Sequence, residues 1–260
     1  MELLFIAVTA LLVSALTLLS GFGLGTILMP VFALFFPLPL AIAATAVVHF
    51  ANNIFKFGLM ARQADWRVVF RFGVPAALSA IVGAWVLVLF NNLPGLARYA
   101  IGTSEFEITV IGVVIGSLIV IFALLELSKR FQALALPPRW LPLGGALSGF
   151  FGGLSGNQGA LRSAFLLKTG LSKEAFVATG VVSAVSVDAV RLTIYGATLL
   201  TDQFARSEAV LLPVMVATIA AFVGSFAGQR LLHKVTFRTV QLVVAVGMLL
   251  IGVGLASGLL

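Results

Sequence analysis

The sequence predicts an all-α, multi-pass membrane protein made of two inverted repeats, with about 8 to 10 helical segments. Of its 260 residues, 61% are hydrophobic and only 10% are charged, whereas a soluble domain carries roughly 25% charged residues. Apolar runs repeatedly reach about 20 residues, which is the length that crosses a bilayer. Basic residues concentrate in alternate loops, as they do in the cytoplasmic loops of membrane proteins.

Composition and motifs exclude several classes of function. The chain has no cysteine and two histidines, so thiolate and histidine-rich metal sites are not expected, and no cofactor is expected. No complete nucleophile elbow, HExxH motif or Walker motif occurs, and we therefore predict that the protein is not an enzyme. The net charge of +7 is attributed to the membrane topology, and no nucleic-acid partner is expected.

Six segments are predicted to span the membrane fully: 39–59, 72–90, 108–127, 173–195, 209–231 and 240–259. Two further apolar segments, 3–36 and 141–170, are about 30 residues or longer, too long for one ordinary span and too short for two. Small residues interrupt both segments, in SGFGLG (20–25) and in SGFFGGLSGNQG (148–159). Each segment is therefore predicted to be a re-entrant pair of helices or two short helices.

Lysine and arginine predict the orientation of these segments. Four loops, near 62–71, 129–139, 168–173 and 230–238, hold eleven basic residues, whereas the remaining two hold Arg98 and Arg206 alone. Cytoplasmic loops collect basic residues, so the four loops are assigned to the cytoplasm. Both interrupted segments then enter and leave the membrane on one side, and both termini are predicted to lie outside.

A weak internal repeat agrees with this charge count. At an offset of 134 residues, Gly25 corresponds to Gly159, and ATAVV (44–48) corresponds to ATGVV (178–182). Residues 1–130 and 131–260 are therefore predicted to be inverted repeats within one membrane domain, each with one interrupted segment and three full spans. Glycine-broken helices at matching positions of inverted repeats are typical of secondary transporters that bind substrate near the membrane midplane.

The two interruptions are predicted to form an anion site. Helices that restart after a break direct free N–H groups and the positive end of the helix dipole toward the same point. Arg162 lies about one turn after Gly159 and would reach that point; alternatively, it extends to the cytoplasmic surface or pairs with Asp188. The predicted substrate-binding residues are Gly23, Gly25, Thr26, Asn52, Asn53, Gly156, Asn157, Gln158, Gly159 and Arg162. Close helix packing accounts for the other glycines of this segment: Gly144, Gly145, Gly149, Gly152 and Gly153.

Polar side chains on two predicted spans are candidates for coupling. One helical face carries four of them: His49, Asn52, Asn53 and Lys56. His49 titrates nearest neutrality and is a candidate proton carrier, the alternative being a hydrogen-bonded core residue. Lys56 is close enough to the next loop to extend to the inner surface. Asp188 and Arg191, three residues apart, predict an internal salt bridge first and a coupling or substrate site second.

Two motifs resemble a known family. LSGFGLGTILMPVF (19–32) and GGLSGNQGALRSAFLLKTGLSKEAFVATG (152–180), half a chain apart, are similar to the sulfite exporter TauE/SafE family, also called the toluene sulfonate uptake permeases. The resemblance extends over essentially the whole chain. It implies a multi-pass carrier in the bacterial inner membrane, with a small anion such as sulfite or a sulfonate as its partner. Many members have a glycine run followed by proline where this chain has Ala160, Leu161 and Arg162.

The sequence leaves open the coupling ion, the oligomeric state and two functions other than anion transport. A proton and a sodium ion are both candidate coupling ions, and the sequence assigns neither the ion nor the oligomeric state. A non-transporting membrane scaffold would use its glycines for helix packing. A cation carrier would require acidic residues within the spans, where Asp188 is the one clear candidate.

Overall fold

A computed structural model of the chain describes residues 1–20, 24–134, 136–198, 208–231 and 237–260. These residues are mostly helical, which confirms the predicted all-α membrane fold. Five of the described helices are long and apolar enough to cross a membrane: Leu38–Gln63, Trp66–Asn91, Val110–Leu127, Lys173–Thr198 and Val210–Gly228.

The described part of the first half contains five α-helices, of which α2 is the shortest. In chain order they are α1 (Glu2–Ser20), α2 (Leu24–Ala33), α3 (Leu38–Met60), α4 (Trp66–Asn91) and α5 (Val110–Leu127). The interruption predicted between α1 and α2 falls on residues 21–23, which lie outside the described residues. The start of α4 is capped by Asp65, whose carboxylate accepts a hydrogen bond from the Val68 amide at 3.1 Å.

The helices of the second half begin with short members. They are α6 (Lys129–Gln132), α7 (Leu141–Ser155), α8 (Gly159–Leu166), α9 (Lys173–Thr198), α10 (Glu208–Leu231) and α11 (Phe237–Ser257). Residues 156–158 separate α7 from α8. Gly156 ends α7 with a φ of 80°, in the left-handed region that glycine adopts without strain.

The connection between α4 and α5 contains a β-hairpin that the sequence analysis did not identify. Strand β1 (Ala97–Ile101) pairs antiparallel with β2 (Ser104–Ile108). The rings of Tyr99 and Phe106 stack with centroids 5.5 Å apart, and the Tyr99 hydroxyl donates to the Ser257 carbonyl at 2.7 Å. The hairpin is therefore attached to the C-terminal end of α11.

Glycines allow α7 to pack directly on the backbone of α4. Three of them lie four residues apart on one face: Gly145, Gly149 and Gly153. A Cβ atom added to any of the three would overlap a carbonyl oxygen of α4, namely that of Phe72, Ala76 or Ala80 in turn. The predicted packing role of these three glycines is thus confirmed, because only a residue without a side chain permits this approach.

A similar contact joins α1 to α10. A Cβ atom added to Gly224 would overlap the Leu11 carbonyl oxygen, and one added to Gly228 would lie against the backbone of Ala15. A helix of the first half therefore packs on one of the second half, while α7 of the second half packs on α4 of the first. This reciprocal packing holds the two halves of the chain together.

Candidate functional site

Polar residues of α3, α8 and α9 meet beside the break between α7 and α8. All four members of the predicted α3 stripe are buried: His49, Asn52, Asn53 and Lys56. The expectation that Lys56 extends to the surface is wrong, since only 6% of this residue is exposed. Its alkyl chain and ammonium group lie inside the helical bundle.

Asp188 is the centre of the polar contacts. It is fully buried, and its Oδ2 lies 2.6 Å from His49 Nδ1. Its Oδ1 lies 3.0 Å from Arg191 Nε and 2.8 Å from Arg191 Nη2, so the structure contains the salt bridge predicted from the spacing. A buried carboxylate needs such partners, because burial without them is costly.

Two amides complete the surroundings of Asp188. Asn53 Nδ2 donates to Oδ2 at 3.3 Å, and Gln158 Nε2 donates to Oδ1 at 3.4 Å. Gln158 belongs to the break, and it thereby links the break to α9. We call His49, Asn53, Gln158, Asp188 and Arg191 the charged cluster.

The end of α7 is held by side chains of α9. Arg191 Nη1 donates to the Gly152 carbonyl at 3.4 Å, and the Tyr195 hydroxyl donates to the Gly153 carbonyl. The Gly152 carbonyl also accepts from the Gly156 amide at 2.9 Å. Carbonyl groups in the last turn of a helix lack partners within the helix, and Tyr195 satisfies that of Gly153. A Cβ atom at Gly156 would lie 2.8 Å from Arg191 Nη1, so the break requires glycine for both space and φ.

The first turn of α2 lies next to the second break. A Cβ atom at Gly25 would be 3.5 Å from the Gly156 carbonyl oxygen and 3.5 Å from His49 Cδ2. Thr26, the next residue, is also buried. The start of α2, the break after α7 and the His49 ring are therefore neighbours, whereas the predicted site residue Gly23 lies outside the described residues.

Asn157 lies in the break with an unsatisfied side chain. It is 3% exposed, and neither its Nδ2 nor its Oδ1 has a hydrogen-bond partner among the described residues. Leaving a buried polar group unsatisfied costs about 1 to 3 kcal/mol. A buried group of this kind usually has a hydrogen-bond partner, which a water molecule or a ligand is able to provide.

Arg162 is buried one turn into α8, which begins at Gly159. It is 5% exposed, and a Cβ atom at Gly180 would lie 3.3 Å from its Nε, so the side chain lies against α9 and does not extend to the surface. Its positive charge acts on Lys56 and His49, and the charge of Asp188 acts on it. Arg162 is thus a further cation near the charged cluster, and Lys56 lies within electrostatic range of Arg162.

The chain matches the family described as Sulfite exporter TauE/SafE over residues 6–255. The protein belongs to the sulfite exporter TauE/SafE family. No curated protein and no solved structure matches the chain. The TauE/SafE proteins are membrane transporters of sulfite-type and organosulfur-type anions, and they form a transporter family, not an enzyme family.

A second polar group in this TauE/SafE protein lies on the other side of α3. Asn52 Oδ1 accepts a hydrogen bond from Ser225 Oγ of α10 at 2.8 Å and lies 3.4 Å from Ser14 Oγ of α1. The Ser14 hydroxyl is also 2.7 Å from the Ala221 carbonyl oxygen and 2.7 Å from Ser225 Oγ. We call Ser14, Asn52 and Ser225 the hydroxyl cluster. Asn52, a predicted substrate-binding residue, thus faces α1 and α10, away from Asp188.

The sequence analysis assigned no role to two residues of this TauE/SafE protein, Tyr195 and Ser14. The bond of the Tyr195 hydroxyl to the end of α7 was not predicted. Ser14 was not singled out at all. One signal was available, because Ser14 corresponds to Ser148 at the same 134-residue offset, and Ser148 is likewise buried, with its hydroxyl donating to the Gln158 carbonyl at 2.9 Å.

A cavity of about 300 Å³ lies near the β-hairpin, between the connection of α2 to α3, the end of α4 and the end of α11. Its polar lining includes Asn91, Glu107 and Thr109. None of the predicted site residues lines this cavity, so it is separate from the charged cluster of the TauE/SafE protein.

Proposed function

We propose that the protein is a secondary transporter of small anions of the sulfite, sulfonate or organosulfur type. In this proposal the anion binds near the membrane midplane, between the start of α2 and the break after α7, and the two halves of the chain expose it alternately to the two sides. Family membership supports transport of such an anion. The observation that carries the location is the buried, unsatisfied side chain of Asn157, which follows Gly156, the residue whose carbonyl oxygen adjoins Gly25.

The proposed ligands of the anion are backbone amides and two side chains. The first turns of α2 and α8, at Gly25, Thr26 and Gly159, provide free N–H groups and the positive ends of helix dipoles. Asn157 adds an amide donor, and Arg162 adds a positive charge that is able to bind two oxygen atoms of one anion. Gly156 leaves space for these groups to approach.

Gln158 and Asn53 have a different role in this proposal. Their amide groups donate to Asp188, so they position the carboxylate and keep the break against α9. Asn52, in the hydroxyl cluster, connects α3 to α1 and α10. These contacts favour a role for Asn52, Asn53 and Gln158 in positioning neighbouring groups over a role in binding the substrate directly.

The pair formed by His49 and Asp188 is the proposed site of a coupling proton. The 2.6 Å contact between them would strengthen if the imidazole gained a proton, because the bond would then join opposite charges. The His49 ring also adjoins Gly25, so a change in its charge would act directly on the proposed anion site. Dependence of transport on a sodium gradient instead of a proton gradient would remove this role.

We propose that the protein lies in the inner membrane with both termini outside. Residues 1–130 and 131–260 form two inverted repeats in this proposal. Reciprocal packing supports the arrangement, since α1 packs on α10 while α7 packs on α4. Basic residues in four loops support the orientation. Labelling of single cysteines at the two termini, in a chain that has no other cysteine, would test it.

Transport by purified protein in proteoliposomes tests the function, with Arg162→Gln and the charge-retaining Arg162→Lys as a matched pair. We expect wild-type protein to carry sulfite and Arg162→Gln to reduce the flux about 100-fold, because the buried charge for the anion is lost. Arg162→Lys should retain a larger part of the flux. Absence of any anion flux in the wild type would favour a membrane scaffold, and full flux in Arg162→Gln would remove Arg162 from the site.

A further inference from the structure

We infer that Thr45 is a further substrate-contacting residue, whose hydroxyl group binds the anion on the outer half of its path through the protein. The inference rests on the anion transport and the orientation proposed above. Thr45 lies on α3 and is 2% exposed, and its Oγ1 atom has no hydrogen-bond partner among the described residues. Like the side chain of Asn157, its hydroxyl group is therefore buried and unsatisfied.

Thr45 differs in its hydrogen bonding from other hydroxyl residues within the helices. The hydroxyl groups of Ser183, Thr193 and Thr218 each donate to the carbonyl oxygen four residues earlier, at 2.7 to 2.9 Å. This bond satisfies a hydroxyl group without a partner from another helix. Thr45 makes no such bond to the Ala41 carbonyl in the described part of the chain. Its hydroxyl group is thus available to donate to a ligand.

The polar face of α3 continues through Thr45. Successive residues of a helix are rotated by about 100°, so four polar residues fall within about 60° of arc: Thr45, His49, Asn52 and Lys56. By this geometry Thr45 lies between Asn52, which contacts α1 and α10, and His49, which contacts Asp188. The polar face therefore extends one turn beyond His49, toward the start of α3.

Thr45 lies on the outer side of the proposed anion site. The His49 ring adjoins Gly25 in the first turn of α2. Thr45 is one helical turn, about 6 Å, nearer the start of α3, which lies outside in the proposed orientation. A short connection joins α2 to α3 and the two helices pack together, so α2 follows the first half of α3 in the opposite direction. The Thr45 hydroxyl group is therefore placed between the anion site and the outer surface.

A single neutral hydroxyl group is suited to a transient contact with the anion. It donates one hydrogen bond to an oxygen atom of a sulfite-type anion and carries no charge. A transport path requires contacts that are favourable enough for the anion to enter, but weak enough for it to move on. The stronger contacts, those with Asn157, Arg162 and the helix N-termini, belong to the proposed central site. Loss of the Thr45 hydroxyl group should therefore slow the passage of the anion and leave its equilibrium binding at the central site unchanged.

Thr45→Val and Thr45→Ser form a matched pair of variants. Valine has the shape of threonine without the hydroxyl group, whereas serine retains the hydroxyl group. In Thr45→Val we expect the maximal sulfite flux in proteoliposomes to fall about tenfold, as the loss of one hydrogen bond to a charged ligand implies. The dissociation constant for sulfite, measured by calorimetry on the purified protein in detergent, should stay at the wild-type value. Thr45→Ser should retain most of the flux.

Two controls separate this role from a structural one. Thr218→Val removes a hydroxyl group that bonds to the Val214 carbonyl of its own helix, so we expect this variant to have wild-type flux. Melting temperatures in detergent report the stability. Thr45→Val should melt at the wild-type temperature or above it, because an apolar group of the same shape replaces a buried group that has no described partner.

Four results would overturn the inference while leaving anion transport in place. The first is wild-type flux in Thr45→Val, and the second is an equally low flux in both Thr45 variants. The third is a Thr45→Val protein that melts at a lower temperature or does not fold, because the hydroxyl group would then have a structural role. The fourth is a raised dissociation constant in Thr45→Val, which would assign Thr45 to the central site. Failure of the proposed function is distinct, since the wild type itself would then show no sulfite flux.

Discussion

The two polar clusters on either side of α3 differ in charge, although each contains one of two adjacent residues of α3, Asn52 and Asn53. Asn53 faces α9 and contributes to the charged cluster around Asp188, whereas Asn52 faces α1 and α10 and contributes to the hydroxyl cluster. The charged cluster adjoins a helix break and an unsatisfied Asn157 side chain. The hydroxyl cluster lies between continuous helices. Both of its hydroxyl groups have partners, and so does Asn52 Oδ1, while Asn52 Nδ2 has none among the described residues.

The difference indicates that the two clusters have separate functions. Neutral hydrogen bonds between helices contribute modest stability, about 1 kcal/mol each. Buried charges are more costly and, inside a membrane, they are usually retained for a transport pathway or a partner. We therefore expect changes in the charged cluster to abolish transport, and changes in the hydroxyl cluster to affect mainly the stability.

The largest effect on stability and transport is expected from Asp188→Asn. This change leaves Arg191 buried without its counter-charge, and breaking a buried ion pair from one side costs about 3 to 5 kcal/mol. We expect a large fall in the free energy of unfolding in detergent and loss of flux in proteoliposomes. An Asp188→Asn protein with wild-type melting temperature and flux would show that the charged cluster is dispensable.

An intermediate effect is expected from Gly156→Ala, with Gly170→Ala as its control. Both glycines have φ values in the left-handed region, 80° and 76°, so alanine brings a similar strain of about 1 to 2 kcal/mol at each. Only at Gly156 does the new Cβ atom also meet Arg191 Nη1, at 2.8 Å, whereas nothing lies within 4 Å at Gly170. We therefore expect Gly156→Ala alone to reduce transport strongly.

Equal flux in the two glycine variants would contradict this prediction. It would mean that the contact between Gly156 and Arg191 does not matter for transport, and that the break tolerates a side chain. The melting temperatures of the two variants are measured in parallel. A fall common to both reports the backbone strain, and a further fall in Gly156→Ala reports the contact with Arg191.

The sequence was sufficient to predict a mostly helical membrane fold and the position of the second break. Long apolar runs set the spans, and the glycines near 156 ended α7 in a conformation that other residues adopt with strain. The spacing of polar residues on α3 predicted a shared face; all of them are buried, but Asn52 faces α1 and α10 while His49 and Asn53 contact Asp188. The all-α fold and the family could therefore be predicted from the sequence alone.

The contacts between helices were less predictable. Asn52 and Asn53 differ by about 100° around α3, and only the packing of α1, α9 and α10 decides which one meets Asp188. Lys56 was expected at the surface, because a lysine near the end of a span can usually reach it. The β-hairpin was missed because its short strands lie in a segment that the hydropathy pattern presents only as a polar loop between two spans.

Sulfite flux in proteoliposomes carrying Asn157→Ala or Asn52→Ala tests the central claim most directly. Asn157 has no described partner to lose, so we expect this variant to be as stable as the wild type or more so, with a KM for sulfite about tenfold higher or more, because a hydrogen bond to a charged ligand is lost. Asn52→Ala should lose about 1 kcal/mol of stability and keep the wild-type KM. An unchanged KM in a folded Asn157→Ala protein would contradict an anion site at the break.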